Sequence, residues 1–174
     1  MDNSRKYEIL KARADQNYRQ KSTNHINEID GWQDYLSFEI NHNRYAINLN
    51  YITSTFQIED ITPIPGLPLF FKGLINNRGS IIPIMDIRYI TEKKVMGLSD
   101  NLKAIIIEYN NKKSAIAVTR VSDIIHINSK QITISESITN HFDVDIFSGV
   151  VDHNTLIIDP NKVFNANELI IYQQ

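Results

Sequence analysis

From Gln33 the chain alternates between apolar and polar positions. Leu36, Phe38 and Ile40 are interleaved with Tyr35, Ser37, Glu39 and Asn41, a period of two that predicts a half-buried strand. Asn41-His42-Asn43-Arg44 is a turn signal, and Tyr45, Ile47 and Leu49 alternate again as its hairpin partner. Ile52 to Ile58 predicts a third strand. Pro63, Pro65, Gly66 and Pro68 then impose a rigid connection unsuited to a helix interior or a central strand. Phe71 to Ile75 and Ser80 to Met85 form the arms of a hairpin around Asn76-Asn77-Arg78-Gly79, with Pro83 predicting an edge or a bulge in the second arm. Residues 91–103 are polar and predict a loop. Ala104 to Tyr109 and Ser114 to Thr119 flank Asn110-Asn111, and Val121 to Ile127 predicts a further strand. Residues 128–142 suit extended loop or short helix. Ile146 to Val151 and Thr155 to Ile158 flank Asp152-His153-Asn154. Pro160, following Asp159, is a favourable first helical residue, so a short helix is expected to start over Asn161 to Phe164.

Residues 1–31 follow another pattern. Tyr7, Leu10, Ala14 and Tyr18 share one helical face, with Lys6, Lys11, Arg13, Arg19 and Lys21 on the others. This predicts a helix that packs a narrow stripe on the main body or docks on another chain, followed by a polar linker over residues 22–31. Nine or ten short strands with polar turns predict an all-β architecture of small barrels or a sandwich. An internal echo supports two similar halves. Phe71-x-Gly73-Leu74-Ile75 leads to Ile81-Ile82 and Asp86, and Phe147-x-Gly149-Val150-Val151 leads to Ile157-Ile158 and Asp159.

Composition narrows the chemistry. Hydrophobic residues make up 42% of the 174, so a folded core is expected. Thirty are isoleucine, a β-branched type that suits pleated sheet, but an AT-rich genome also produces that excess and it is not counted toward the fold. With no cysteine, disulfides, thiolate metal sites and a cysteine nucleophile are excluded. No apolar run reaches about 18 residues, so no spanning helix and no direct membrane insertion is expected. The start, Met1 to Lys6, is not followed by an apolar signal core, and a soluble cytoplasmic protein is expected. The net charge of −2 argues against a dominant nucleic-acid surface.

Catalytic constellations are scarce. No pair among His25, His42, His126, His141 and His153 has helical metal-ligand spacing, and no phosphate loop or nucleophile elbow occurs. No metal, cofactor or catalytic residue is therefore expected. His153 fits a solvated turn better than a general base, and Asp86 and Asp159 fit caps after strands better than an acid–base pair. At the tip of the central hairpin, Gly79 is expected to supply a positive φ. Arg78 could be a solvated loop residue, a partner contact or part of a phosphate clamp, for which only Lys72 and Arg88 lie near in sequence.

"FFKGLINNRGSIIPIMDIR", residues 70–88, closely resembles the signature of the CheW-like family. That signature runs from a phenylalanine and a Lys-Gly pair through Asn-x-Arg-Gly to Ile-Pro-x-x-Asp-Leu-Arg. "DYLSFEINHNRYAINL", "ITPIPGLPLF", "SAIAVTRVSDII" and "FSGVVDHNTLIIDPNKVF" resemble the surrounding segments in the same order, over residues 33–165. The resemblance implies two pseudo-symmetric SH3-like five-stranded β-barrel subdomains sharing a core. With the periodicities above, it divides the chain into a helical extension and linker (1–31), a CheW-like domain (32–168) ending in a short helix, and a tail (169–174).

The resemblance also implies a non-catalytic adaptor of bacterial chemotaxis. Its partners would be the cytoplasmic tips of chemoreceptors and the regulatory domain of the histidine kinase CheA, at membrane-associated receptor arrays. The receptor would lie in the groove between barrels and the kinase at barrel ends. Residue by residue, it makes Arg78, Asn76, Gly79, Gly73, Ile52, Ser54 and Gly149 the candidate partner-binding positions. Ser54 stands where the family often has a glutamate able to pair with the arginine, and Thr119 where it often has an aspartate. The alternatives are an adaptor of a non-motility chemosensory pathway and, more distantly, a β-barrel that binds oligonucleotide, which would need a basic groove with stacking aromatics.

Overall fold

The computed structural model describes residues 31–89, 101–134 and 145–171, with side chains of the last helix described through Asn165. The strands are β1 (Trp32–Ile40), β2 (Asn43–Asn48), β3 (Ile52–Gln57), β4 (Phe71–Asn77), β5 (Ser80–Met85), β6 (Lys103–Tyr109), β7 (Lys112–Val118), β8 (Arg120–Asn128), β9 (Phe147–Val151) and β10 (Thr155–Ile158), followed by helix α1 (Pro160–Ile171). They form two five-stranded sheets, β8-β1-β2-β10-β9 (unit A) and β3-β6-β7-β5-β4 (unit B). The expected N-terminal helix and most of the expected loop at 91–103 lie outside the described residues.

The units repeat each other rung by rung. β1–β2 turns back through two residues with Ile40 opposite Asn43, and β6–β7 does the same with Tyr109 opposite Lys112. Each unit contains one parallel pair, with Ile157 beside Ala46 in A and Ile84 beside Ala115 in B. The amide of Asp86 donates to Phe70 O over 2.7 Å, and that of Asp159 to Ile146 O over 2.9 Å. The correspondence is circularly shifted. Unit B is the continuous run β3 to β7, whereas unit A is assembled from β8, β9 and β10 together with β1 and β2 from the start of the chain.

Each sheet contributes buried residues on both faces. Tyr35, Ala46, Ile127, Val151 and Ile157 fill the interior of unit A, and Ile75, Ile82, Ile84, Leu102, Ala104, Ile106, Ala115 and Ala117 that of unit B. The opposite faces meet in one seam, where Leu36, Phe38, Tyr45 and Phe147 of unit A pack with Met85, Ile105, Ile107 and Ile116 of unit B and with Val163 and Phe164 of α1. Phe38, Tyr45 and Phe147 stack in series at centroid distances of 5.7 and 6.2 Å. β1 is therefore a central strand buried on both sides between Tyr35 and Phe38 rather than half-buried. The polar Ser37 survives there because its hydroxyl donates to Asp123 O and accepts from Asp123 N–H at the β1/β8 bulge.

Three further expectations are modified. Leu49 closes β2 in a single 3-10 turn with Asn50 and Tyr51 instead of extending the strand. β5 is an interior strand, yet Pro83 is tolerated. It lies outside the rungs that join β5 to β7, which are Ile84–Ala115 and Met85–Ile116, so no ladder bond is lost to its missing N–H. Beyond β8 the chain forms a 3-10 turn at Ser129–Gln131 capped by Asn128. α1 starts at Pro160, the favoured first helical residue, with Asp159 Oδ1 accepting from Asn161 N–H, but it is longer than the short helix expected and continues to Ile171.

The echoed glycines explain how each sheet turns from seam to interior. At Phe71/Gly73 and at Phe147/Gly149 the register shifts by a bulge, so Phe71 and Phe147 face the seam while Ile75 and Val151 face the barrel interiors. A crossing segment then lies against each glycine. Thr62 pairs with Leu74, and Thr133 with Val150. A Cβ at Gly73 would sit 2.2 Å from Thr62 O, and one at Gly149 would sit 2.7 Å from Thr133 O. Only a residue without a side chain allows this approach.

Candidate docking site

The β4–β5 hairpin turns through two residues. Arg78 has φ 52° and Gly79 φ 85°, the paired positive values of a type I′ turn, whose hand matches strand twist. Asn76 Oδ1 accepts the Gly79 N–H at 2.9 Å. Asn77 Nδ2 reaches Ser54 Oγ at 3.5 Å, which brings β3 and β4, the two edges of unit B, against each other. The hairpin is thus braced along its polar rim and tied into the barrel wall.

Arg78 projects from this tip, exposed, and among the described residues no carboxylate forms an ion pair with it. A left-handed conformation costs a non-glycine residue roughly 1–2 kcal/mol, with asparagine and aspartate suited best. The chain keeps an arginine there against that preference. Beside it, on the rung opposite Asn76, Ile81 is 61% exposed. Ile64, Leu67 and Leu69 are also exposed on the proline-bearing connection of this unit. The tip offers a cation, an apolar side chain and amide groups on a rigid mount, a combination suited to protein contact.

The phosphate-clamp reading fails on geometry. Arg88 is 4% exposed and forms a two-pronged pair with Asp86, Nε to Oδ1 at 2.7 Å and Nη2 to Oδ2 at 2.5 Å. Lys72 Nζ lies 3.9 Å from the same carboxylate. Both nearby cations are engaged by a buried aspartate and are unavailable to the Arg78 tip. Asp86 does act as a turn cap, as its Oδ1 also accepts the Arg88 N–H at 3.1 Å. The sequence placed the cap but missed the ion pair. The signal available was the Asp-x-Arg spacing directly after an apolar strand.

The remaining candidates divide clearly. Arg78, Asn76, Gly79 and, through Asn77, Ser54 come together at the tip. Gly73 and Gly149 are buried in separate walls, where their role is the backbone crossing. Ile52 opens β3 opposite Ile107 and is half-buried against the seam. Unit A presents a corresponding turn in which Asp152 (φ 51°) and His153 (φ 59°) are exposed, so His153 is a solvated turn residue. Among the described residues no three His, Cys, Asp or Glu side chains could hold a metal, and no helix is long and apolar enough to cross a membrane.

Comparison with known proteins matches this architecture. The family model for the CheW-like domain matches residues 34–168. The chemotaxis protein CheW of Bacillus subtilis is 28% identical over 141 residues, covering 79% of this chain and 90% of that protein. The Thermotoga maritima protein of the same name is 30% identical over 106 residues, or 59% of this chain and 67% of the relative. Among solved structures, the scaffolding protein TtCheW from Thermoanaerobacter tengcongensis superposes with a TM-score of 0.64 at 26% identity, covering 74% of this chain and 84% of that one. The chain belongs to the CheW-like family.

Proposed function

We propose that this protein is a non-catalytic adaptor of bacterial chemotaxis that couples the cytoplasmic tips of chemoreceptors to the regulatory domain of the histidine kinase CheA. It would act in the cytoplasm, recruited to membrane-associated receptor arrays. The observation that carries the reading is Arg78, an exposed arginine held at a left-handed turn position beside exposed Ile81, on a hairpin braced by Asn76 and tied to Ser54 through Asn77. Gly79 shapes the turn, Gly73 and Gly149 fix the walls of the two units, and the exposed part of Ile52 adds apolar surface near the seam. The receptor's helical hairpin would occupy the groove between units, and the kinase the barrel ends. The seam supports this role, because one continuous core holds both units in a fixed relation. Individually weak contacts become effective when many copies share a lattice.

The test is co-sedimentation with receptor cytoplasmic fragments and with a CheA regulatory domain at tens of micromolar. Retention of both is expected, and loss of both removes the proposal's main support. Arg78→Ala should weaken retention while shifting stability by no more than about 0.5 kcal/mol, as for other surface substitutions. Unchanged retention with unchanged melting would show the arginine to be idle.

A further inference from the structure

Because the two units agree rung by rung, a position at which they differ in kind marks a surface that only one of them presents to a neighbour. On the outer face of β1 and β8, Trp32 is 42% exposed and Ile124 55% exposed. Ladder register makes Thr55 the counterpart of Ile124 in unit B, and counting back two residues from the first β6 rung, at Lys103, makes the turn residue Asn101 the counterpart of Trp32. Unit A therefore exposes two large apolar side chains where unit B has polar ones. Between them, His126 Nδ1 lies 2.5 Å from Asp34 Oδ1, at the rung where unit B sets Gln57 opposite Lys103. The same strand face has been given a different surface.

Unit A also has something that unit B lacks. β6 is entered from β5, within its own sheet. Its counterpart β1 is entered from residues 1–30, which join the strand through Gly31 at the rung of Trp32. That segment carries the Tyr7, Leu10, Ala14 and Tyr18 stripe, and through Lys21 it holds six basic residues against Asp2, Glu8 and Asp15. The face carries Asp34, half-buried on the rung opposite His126.

We propose that residues 1–30 dock in cis on this face, with the stripe over Trp32 and Ile124 and basic side chains toward Asp34. The dimensions fit. Ile124 lies opposite Leu36, four residues along β1 from Trp32, or about 13 Å. The stripe, if helical, spans about 17 Å. The residues between Tyr18 and Trp32 can reach about 40 Å when extended, more than enough to fold back.

The test uses the full chain, whose one tryptophan is Trp32 and which has no cysteine. Replacing Leu10→Asp and Tyr18→Asp together should shift Trp32 emission to the red and raise its acrylamide quenching roughly twofold, following the ring area uncovered. Circular dichroism should show the same melting of the barrels. Equal quenching in the two proteins overturns the proposal. So does shielding that depends on protein concentration, which means a second copy is the occupant. Shielding that appears only when a receptor fragment or kinase domain is added overturns it as well. As a second measurement, Leu10→Cys with Ile124→Cys should close an intrachain disulfide in dilute monomer. Exclusively interchain bonds, or none, would count against docking in cis.

Discussion

Replacing Gly73 by alanine tests the crossing that turns each sheet into a barrel. The new Cβ would lie 2.2 Å from Thr62 O and 2.8 Å from Thr62 C, on a backbone with φ +139°. Relaxed carbon–oxygen contacts sit at about 3.3 Å or more, so one strand must move by roughly an ångström. Moving it sacrifices the reciprocal bonds between Thr62 and Leu74, both 2.9 Å, at about 1 kcal/mol each. The backbone conformation adds roughly 1–3 kcal/mol of strain, and the stiffer unfolded chain returns about 0.4–1 kcal/mol. The net expectation is a loss of about 2–4 kcal/mol, or roughly 5–15 °C in melting temperature for a domain of this size. Gly149→Ala should cost less, because its closest backbone neighbour, Thr133 O, lies at 2.7 Å rather than 2.2 Å, although Ile132 Cγ2 at 2.6 Å must also give way. Gly79→Ala meets nothing within 4 Å and should cost only about 1 kcal/mol of strain. Urea unfolding of the three variants ranks them. If Gly79→Ala proves as damaging as Gly73→Ala, close approach is not what the echoed glycine provides.

Asp86→Ala should lose about 3–5 kcal/mol by removing the carboxylate paired with the buried Arg88, while a combined Asp86→Leu, Arg88→Met protein should recover most of it; urea midpoints of the two decide. Arg78→Asn should raise the melting temperature by roughly 2–4 °C, since asparagine suits the left-handed turn position, and should weaken receptor or kinase retention. A gain in both would separate the arginine from docking. Burial raises the Tyr35 phenol above its ordinary value of 10.0. The unfolded phenol therefore ionises first, so the Tyr35 contribution is intact below about pH 10 and is lost as pH climbs through the raised folded value. Tyr35→Phe should flatten the fall in stability between about pH 9 and 11, read by urea titrations at each pH.

Much of this fold was legible because apolar alternation and turn chemistry act locally. Leu36, Phe38 and Ile40 marked one face of β1, Asn110-Asn111 marked a turn, and the Phe-x-Gly echo marked two similar halves, though not the bulges at its glycines. What periodicity could not reveal was the second layer. Tyr35 and Ser37 look like a solvent face until the barrel interior is added behind them. The parallel neighbours, β10 beside β2 and β5 beside β7, join residues far apart in the chain, and no local pattern records such pairing. At the site, Gly79 announced its positive φ, but Arg78 did not, since arginine is not a residue type that signals it. The Asp86–Arg88 pair depends on burial contributed by distant strands, so spacing alone could only suggest a cap.

The circular shift between the units has a temporal consequence. During synthesis, all five strands of unit B leave the ribosome consecutively and can close among themselves. β1 and β2 emerge first yet wait longest, because β2 has no partner on its outer side until β10 appears more than a hundred residues later. The first hairpin made is thus the last to be enclosed, and the seam seals only when the carboxyl-terminal strands arrive.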